Sequence, residues 1–194
     1  MGLMDKLSRV IKDADKVKDA LESAGLVGSD AGTTATATPG DPGPAPTPAR
    51  SGAYRAIAAR CVTDPFDLLT RQEVEELTGL DVGAPDEWHS DDCIGVEFRS
   101  AANGGHWVRV DAFPTRPDPA SAPDATTTWQ FVSTETATPR VPVDGLGDEA
   151  FVAAGALVCV RVREQVLVVS GSLPPGADAA STLTSVARTA AAHA

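Results

Sequence analysis

Apolar side chains at Leu3, Leu7, Val10, Ala14, Val17, Leu21 and Ala24 recur at alternating spacings of four and three, the seam of a heptad repeat. This period predicts an amphipathic helix over residues 1–27. Met4 and Ile11 widen its stripe, Asp5 sits in the first turn where the helix dipole favours an anion, and Gly25 and Gly28 supply stop signals. A lone helix of this length is marginal in water, so the stripe needs a covering surface. Leu3, Leu7, Val10, Ile11, Val17 and Leu21 are therefore the candidate partner-binding residues.

Residues 28–52 break the pattern. They hold prolines at 39, 42, 44, 46 and 48 and no large hydrophobic side chain, which leaves too little apolar surface to offset the entropy of ordering. A disordered linker is predicted, its proline-dense half extended at about 3.1 Å per residue.

From residue 53 to 194 the periods are those of a folded domain. Thr70 followed by Glu73 forms a capping box, and Val74, Leu77 and Gly79 continue and end a helix over residues 70–78. Ile94, Val96 and Phe98 alternate with polar or small neighbours, Asn103-Gly104 marks a turn, and Val108, Val110 and Ala112 resume the alternation, which predicts a β-hairpin. Pro114 removes a ladder donor and stops the strand near Phe113. A loop follows to about Thr126, and the stretch from Ser133 to Arg140 fits helix and strand equally. Residues 156–162 and 166–170 are β-branched runs flanking Arg163-Glu164-Gln165, a second hairpin ended by Pro174-Pro175-Gly176. Asp178 caps a last helix with Leu183, Val186, Ala187 and Ala190 on one face. The prediction is an α+β domain, an antiparallel sheet with hairpins packed by helices, preceded by a separate amphipathic helix.

Charge narrows the partners. The chain carries a net charge of −11, yet residues 1–28 are balanced, and from Tyr54 onward ten Arg and no Lys stand against twenty Asp and Glu. Such a field repels phosphate backbones, so nucleic acid is not an expected partner. No export signal opens the chain and no run reaches the ~18 apolar residues of a membrane span, so the expected location is cytoplasmic. Three cysteines, an odd number, are expected to be mostly reduced.

Four stretches, DPFDLLTRQEVEELTG at 64–79, DDCIGVEF at 91–98, DGLGDEAF at 144–151 and ALVCVRVREQVLVVSGS at 156–172, together resemble a family of small actinobacterial envelope domains of unknown function, found mostly as lipoproteins or secreted proteins. The likeness spans residues 59–192. It implies an antiparallel sheet packed by helices and no established enzymatic activity. Members typically carry an export signal and a Cys after the first Asp-Pro; here the signal is lacking and Phe66 stands at that position, with Cys61 upstream. The resemblance implies a Cys61–Cys93 pair, and the reducing compartment opposes a persistent bond. Cys159 alternates with Leu157 and Arg161 and reads as a buried thiol.

Candidate chemistry is sparse. Trp88-His89-Ser90-Asp91-Asp92-Cys93 contains metal-ligand types but no second spaced Cys/His pair, and reads as a solvated loop entering a strand. His106 and His193 read as surface residues. No Gly-x-Ser-x-Gly element or comparable nucleophile signature occurs. Gly145-Leu146-Gly147-Asp148 lacks the third glycine of a dinucleotide loop; its glycines fit a tight turn, with Asp148 bonding local backbone. Trp107, Trp129, Phe98 and Phe113 fit either a pocket or, more simply, core, and Arg109, Arg161 and Arg163 fit an anion site or a solvated sheet face. No catalytic residue, metal or cofactor is predicted. The leading expectation is a non-catalytic binding or adaptor protein that docks on another protein, or on a second copy, through the N-terminal helix and presents an acidic domain. Cargo addressed to a protein shell or injection apparatus, peripheral membrane attachment through the same stripe, and an uncharacterised enzyme are the alternatives.

Overall fold

The computed structural model describes residues 50–102, 104–115, 124–136, 139–154 and 156–194. The predicted N-terminal helix, the linker up to residue 49, Asn103 of the first hairpin turn and most of the loop after Thr115 lie outside these residues. Thr47–Ala194 form a compact unit of their own.

Each described helix starts on a side chain that accepts one of its first free N–H groups. Helix α1 (Gly52–Ala58) is capped by Ser51, α2 (Pro65–Leu68) by Asp64 with Pro65 as its first residue, and α3 (Arg71–Thr78) by Thr70. The α3 box is reciprocal: Thr70 Oγ1 accepts from Glu73 N at 3.3 Å, and Glu73 Oε2 accepts from Thr70 N at 2.7 Å. Gly79 ends α3 in the left-handed conformation at φ 70°, as predicted. Asp124 opens α4 (Ala125–Glu135) and Asp178 opens α5 (Ala179–His193).

Seven strands form one antiparallel sheet in the order β1-β2-β3-β7-β6-β5-β4. They are β1 (Asp86–His89), β2 (Ile94–Arg99), β3 (Trp107–Phe113), β4 (Arg140–Pro142), β5 (Glu149–Ala153), β6 (Leu157–Val162) and β7 (Gln165–Ser172). The two predicted hairpins are β2–β3 and β6–β7, and β3–β7 pairing joins them at the centre. Both edges carry features that discourage further pairing: β1 reads Asp-Glu-Trp-His, and β4 is three residues ending in Pro142.

Alternation puts Ile94, Val96, Phe98, Val108, Val110, Val158, Val160, Leu167 and Val169 on one face, beneath Leu183, Val186, Ala187 and Ala190 of α5 and with Tyr54, Leu68 and Val74 of α1 to α3. At about 1.5–3 kcal/mol for each large apolar side chain removed from water, this layer dominates stability. Tyr54 is buried, and its hydroxyl donates to Asp64 Oδ1 at 2.7 Å, tying α1 to the α2 cap. On the opposite face Trp129 and Val132 of α4 pack on Phe151, Ala153, Cys159, Val166 and Val168. The α+β prediction is thus observed as three layers.

Several local expectations are corrected. Within the ambiguous segment 133–140, residues 133–135 end α4 and Arg140 opens β4, and α4 already begins at Ala125, inside the stretch expected to be loop. Trp88 and His89 close strand β1 instead of lying in a loop, because they pair with Gly95 and Ile94. The β6–β7 turn is two residues, with Arg163 at φ 52° and Gln165 already in β7. Asp148 does not bond local backbone: its Oδ2 accepts from Arg163 N at 2.7 Å, across that hairpin turn.

Candidate functional site

The α4 face of the sheet changes character midway. Register places Trp88, Gly95, Asp111, Val168, Cys159 and Phe151 in one cross-strand row and Asp86, Glu97, Arg109, Ser170, Leu157 and Ala153 in the next. Over β5 and β6 these rows are apolar, on β7 Val168 continues the apolar row while Ser170 joins the polar half, and α4 contacts β6 and β7. Over β1 to β3 they become aromatic and charged, as in a layer built to meet polar surroundings.

Arg109 organises that polar half. Its guanidinium carbon lies 4.1 Å from the Trp88 ring centre and 5.5 Å from that of Trp107. Its Nε donates to Asp111 Oδ2 at 3.1 Å, while Nη1 stays 3.9 Å from Glu97 Oε2. Glu97 in turn holds Arg99 Nη2 at 2.5 Å. The two carboxylates are deeply placed, with Glu97 6% and Asp111 5% exposed. Asp111 Oδ1 and Ser170 Oγ are buried without a hydrogen-bond partner among the described residues. Burial pushes the Asp111 carboxyl up to about 6, against the lowering effect of Arg109. Gly95 makes room for this arrangement: a Cβ there would collide with Asp111 Oδ1 and stand 3.0 Å from Val110 O.

A second feature surrounds DGLGDEAF. Gly145 and Gly147 turn the chain at φ 66° and 60°, and Asp148 N then donates to Arg161 O at 2.8 Å as β5 begins. Glu149 takes Trp129 Nε1 at 2.7 Å and Arg161 Nη2 at 2.6 Å, contacts that hold its carboxyl below the usual range, Arg161 first and Trp129 second. Arg140 Nη2 donates to Thr136 O at 3.2 Å, covering a carbonyl just past the end of α4. Trp129, Arg140, Leu146, Asp148, Glu149 and Phe151 border an open groove of about 520 Å³.

The residues singled out from sequence disperse. Phe98 lies in the main core, Phe113 and Trp129 in the α4 cluster, and Trp107 on the polar half, so the four aromatics do not line one pocket. Arg161 is engaged by Glu149 and Asp148, and Arg163 Nη1 by the Ala194 carbonyl. His193 remains on the surface, but its Nδ1 lies 3.0 Å from Leu68 O and its Nε2 3.6 Å from Glu73, so it ties α5 to α2 and α3. Cys61 belongs to the main core, whereas the Cys93 thiol meets Ser90 Oγ at 3.4 Å on the other side of the sheet, and the two are not bonded to each other. Cys159 is buried, as predicted. Among the described residues no three His, Cys, Asp or Glu side chains are grouped to hold a metal ion, and no helix is long and apolar enough to cross a membrane. Leu3, Leu7, Val10, Ile11, Val17 and Leu21 lie outside the described residues.

Sequence reading raised Arg109 and Trp107 but missed Gly95, Glu97 and Asp111 as their companions. The signal was the second phase of the same alternation, Gly95-Glu97-Arg99 and Trp107-Arg109-Asp111, set aside in favour of the apolar phase. Comparison with family models, curated proteins and solved structures gave no match.

Proposed function

We propose that this protein is a non-catalytic binding or adaptor protein of the cytoplasm, which docks through the stripe of Leu3, Leu7, Val10, Ile11, Val17 and Leu21 and presents its acidic folded unit. The observation that carries this reading is the heptad seam itself: seven apolar positions in phase, in a segment of balanced charge, with no other large-residue pattern before residue 53. It is supported by the compactness of Thr47–Ala194, among whose described residues helices and strands pack into two apolar clusters. Balanced charge and the lack of aromatic residues in 1–28 favour a protein surface over a lipid one.

The test compares the full chain with Leu7→Asp/Val10→Asp. Light scattering after size exclusion reads self-association, affinity recovery reads a different protein partner, and liposome flotation reads lipid. The double substitution is expected to abolish association while the urea midpoint of the folded unit stays unchanged. Identical association and recovery for both chains sinks the reading, and flotation lost in the variant replaces it with membrane attachment.

A further inference from the structure

We propose that the polar half of the α4 face, over β1 to β3, is a binding site for a neutral polyhydroxylated ligand, a saccharide. This rests on reading the folded unit as a binding module and names what that unit would hold.

The hydrogen-bonding inventory chooses the ligand class. Asp111 is 5% exposed and Ser170 8% exposed, and Asp111 Oδ1 and Ser170 Oγ have no partner among the described residues. A buried acceptor left in this state costs about 1–3 kcal/mol, so the site favours a molecule that brings donors. Arg109 poses the opposite demand: among the described residues its Nε has an acceptor in Asp111 Oδ2, whereas Nη1 stands 3.9 Å from Glu97. A ligand satisfying both must donate and accept.

Charge removes the alternatives. A cationic ligand would satisfy Asp111 and Glu97 but face the guanidinium of Arg109, and an anionic one would satisfy Arg109 but face both carboxylates. Each like-charge encounter is strengthened by partial burial. Asp111 and Glu97 are offset by Arg109 and Arg99, so an uncharged ligand meets no such penalty. Hydroxyl groups both donate and accept, and the apolar C–H face of a pyranose ring suits an indole. Trp88 and Trp107 provide two indoles on this half-face, with the Arg109 guanidinium carbon 4.1 and 5.5 Å from their ring centres.

The experiment uses the full-length protein labelled with nitrogen-15 and reads its three indole N–H signals. They are titrated with hexasaccharides of glucose, mannose and N-acetylglucosamine, and with the corresponding monosaccharides to separate chain from single-sugar recognition. Saturable shifts confined to the Trp88 and Trp107 signals are expected for at least one sugar, with the Trp129 signal unmoved because its Nε1 is committed to Glu149. Trp107→Ala is expected to bind about tenfold more weakly, the loss of one aromatic contact, and Trp107→Phe to recover part of that. Binding is expected to be insensitive to salt and unchanged in Leu7→Asp/Val10→Asp, which separates this inference from the docking reading. Absence of any saturable shift, shifts led by Trp129, or stronger binding of oligoglucuronate or oligoglucosamine than of the neutral sugars each overturns it.

Discussion

The side-chain carbonyl of Gln165 accepts the backbone N–H of Val62 at 2.9 Å. The same oxygen takes Thr63 N at 3.2 Å, while Gln165 Nε2 donates to Phe113 O at 3.1 Å, and the residue is only 1% exposed. One amide at the start of β7 thus fixes both the end of β3 and the turn between α1 and α2. Gln165→Leu keeps the volume but deprives these three backbone groups of their partner. We expect a loss of about 2–4 kcal/mol, read as a lower urea midpoint at unchanged slope. A loss below about 0.5 kcal/mol would show the groups re-solvated by water instead.

Gly147 and Gly145 share a left-handed backbone but not their surroundings. A Cβ at Gly147 would run into Arg161 O and lie 2.8 Å from Val160 Cγ1, whereas at Gly145 nothing stands within 4 Å. Gly145→Ala therefore carries only the conformational cost, about 1 kcal/mol, while Gly147→Ala adds a backbone clash of about 1–3 kcal/mol that must push β5 from β6. Thermal midpoints of the two variants should differ accordingly. Equal midpoints would mean that the DGLGDEAF turn relaxes freely away from β6.

The parts of this architecture legible in the sequence are those set by local chemistry. Thr70 and Glu73 announce the α3 box, Asp178 the α5 cap, and the β-branched runs the β6–β7 hairpin, because each signal lies within a few residues of its effect. Strands β1, β4 and β5 escaped notice because they are short and mixed in composition, and are strands by virtue of a neighbour's free edge. The polar half-face needed more than local pattern: Arg109 and Asp111 share a strand, but Trp88, Gly95 and Glu97 join them only through β1–β2–β3 register. Asp148 was misread for the same reason, since its partner Arg163 is 15 residues away.

Cys93 and Cys159 should be chemically quiet in the folded protein. Burial pushes both thiols up to about 12, with the Asp111 carboxylate adding to the effect at Cys93. At pH 8 almost none of either is thiolate, so alkylation by iodoacetamide, read per residue by mass spectrometry, should be slower than in urea by several orders of magnitude. Rapid native alkylation of Cys93 would show that the Ser90–Cys93 turn opens locally.

Asp111 makes stability depend on pH in a direction unusual for a carboxylate. Its folded value of about 6 lies above the ordinary 3.8, so the folded state holds this proton more tightly than the unfolded chain does. The associated stability is complete below the unfolded value and is lost progressively as pH rises from 3.8 to about 6, a difference on the order of 2–3 kcal/mol. Glu73, Glu75, Glu87, Asp124 and Glu149 act in the opposite sense, since hydrogen bonds hold them below their ordinary values and their contribution fades only in more acid solution. Asp111→Asn, which cannot ionise, isolates the effect from these. The two proteins should have similar urea-derived stabilities near pH 3, and the variant should gain on the wild type as pH rises from 3.8 to about 6, with little further change above that. A variant less stable than wild type at pH 8 would mean that ionised Asp111 draws more from Arg109 than its burial costs, and that the carboxyl is not raised at all.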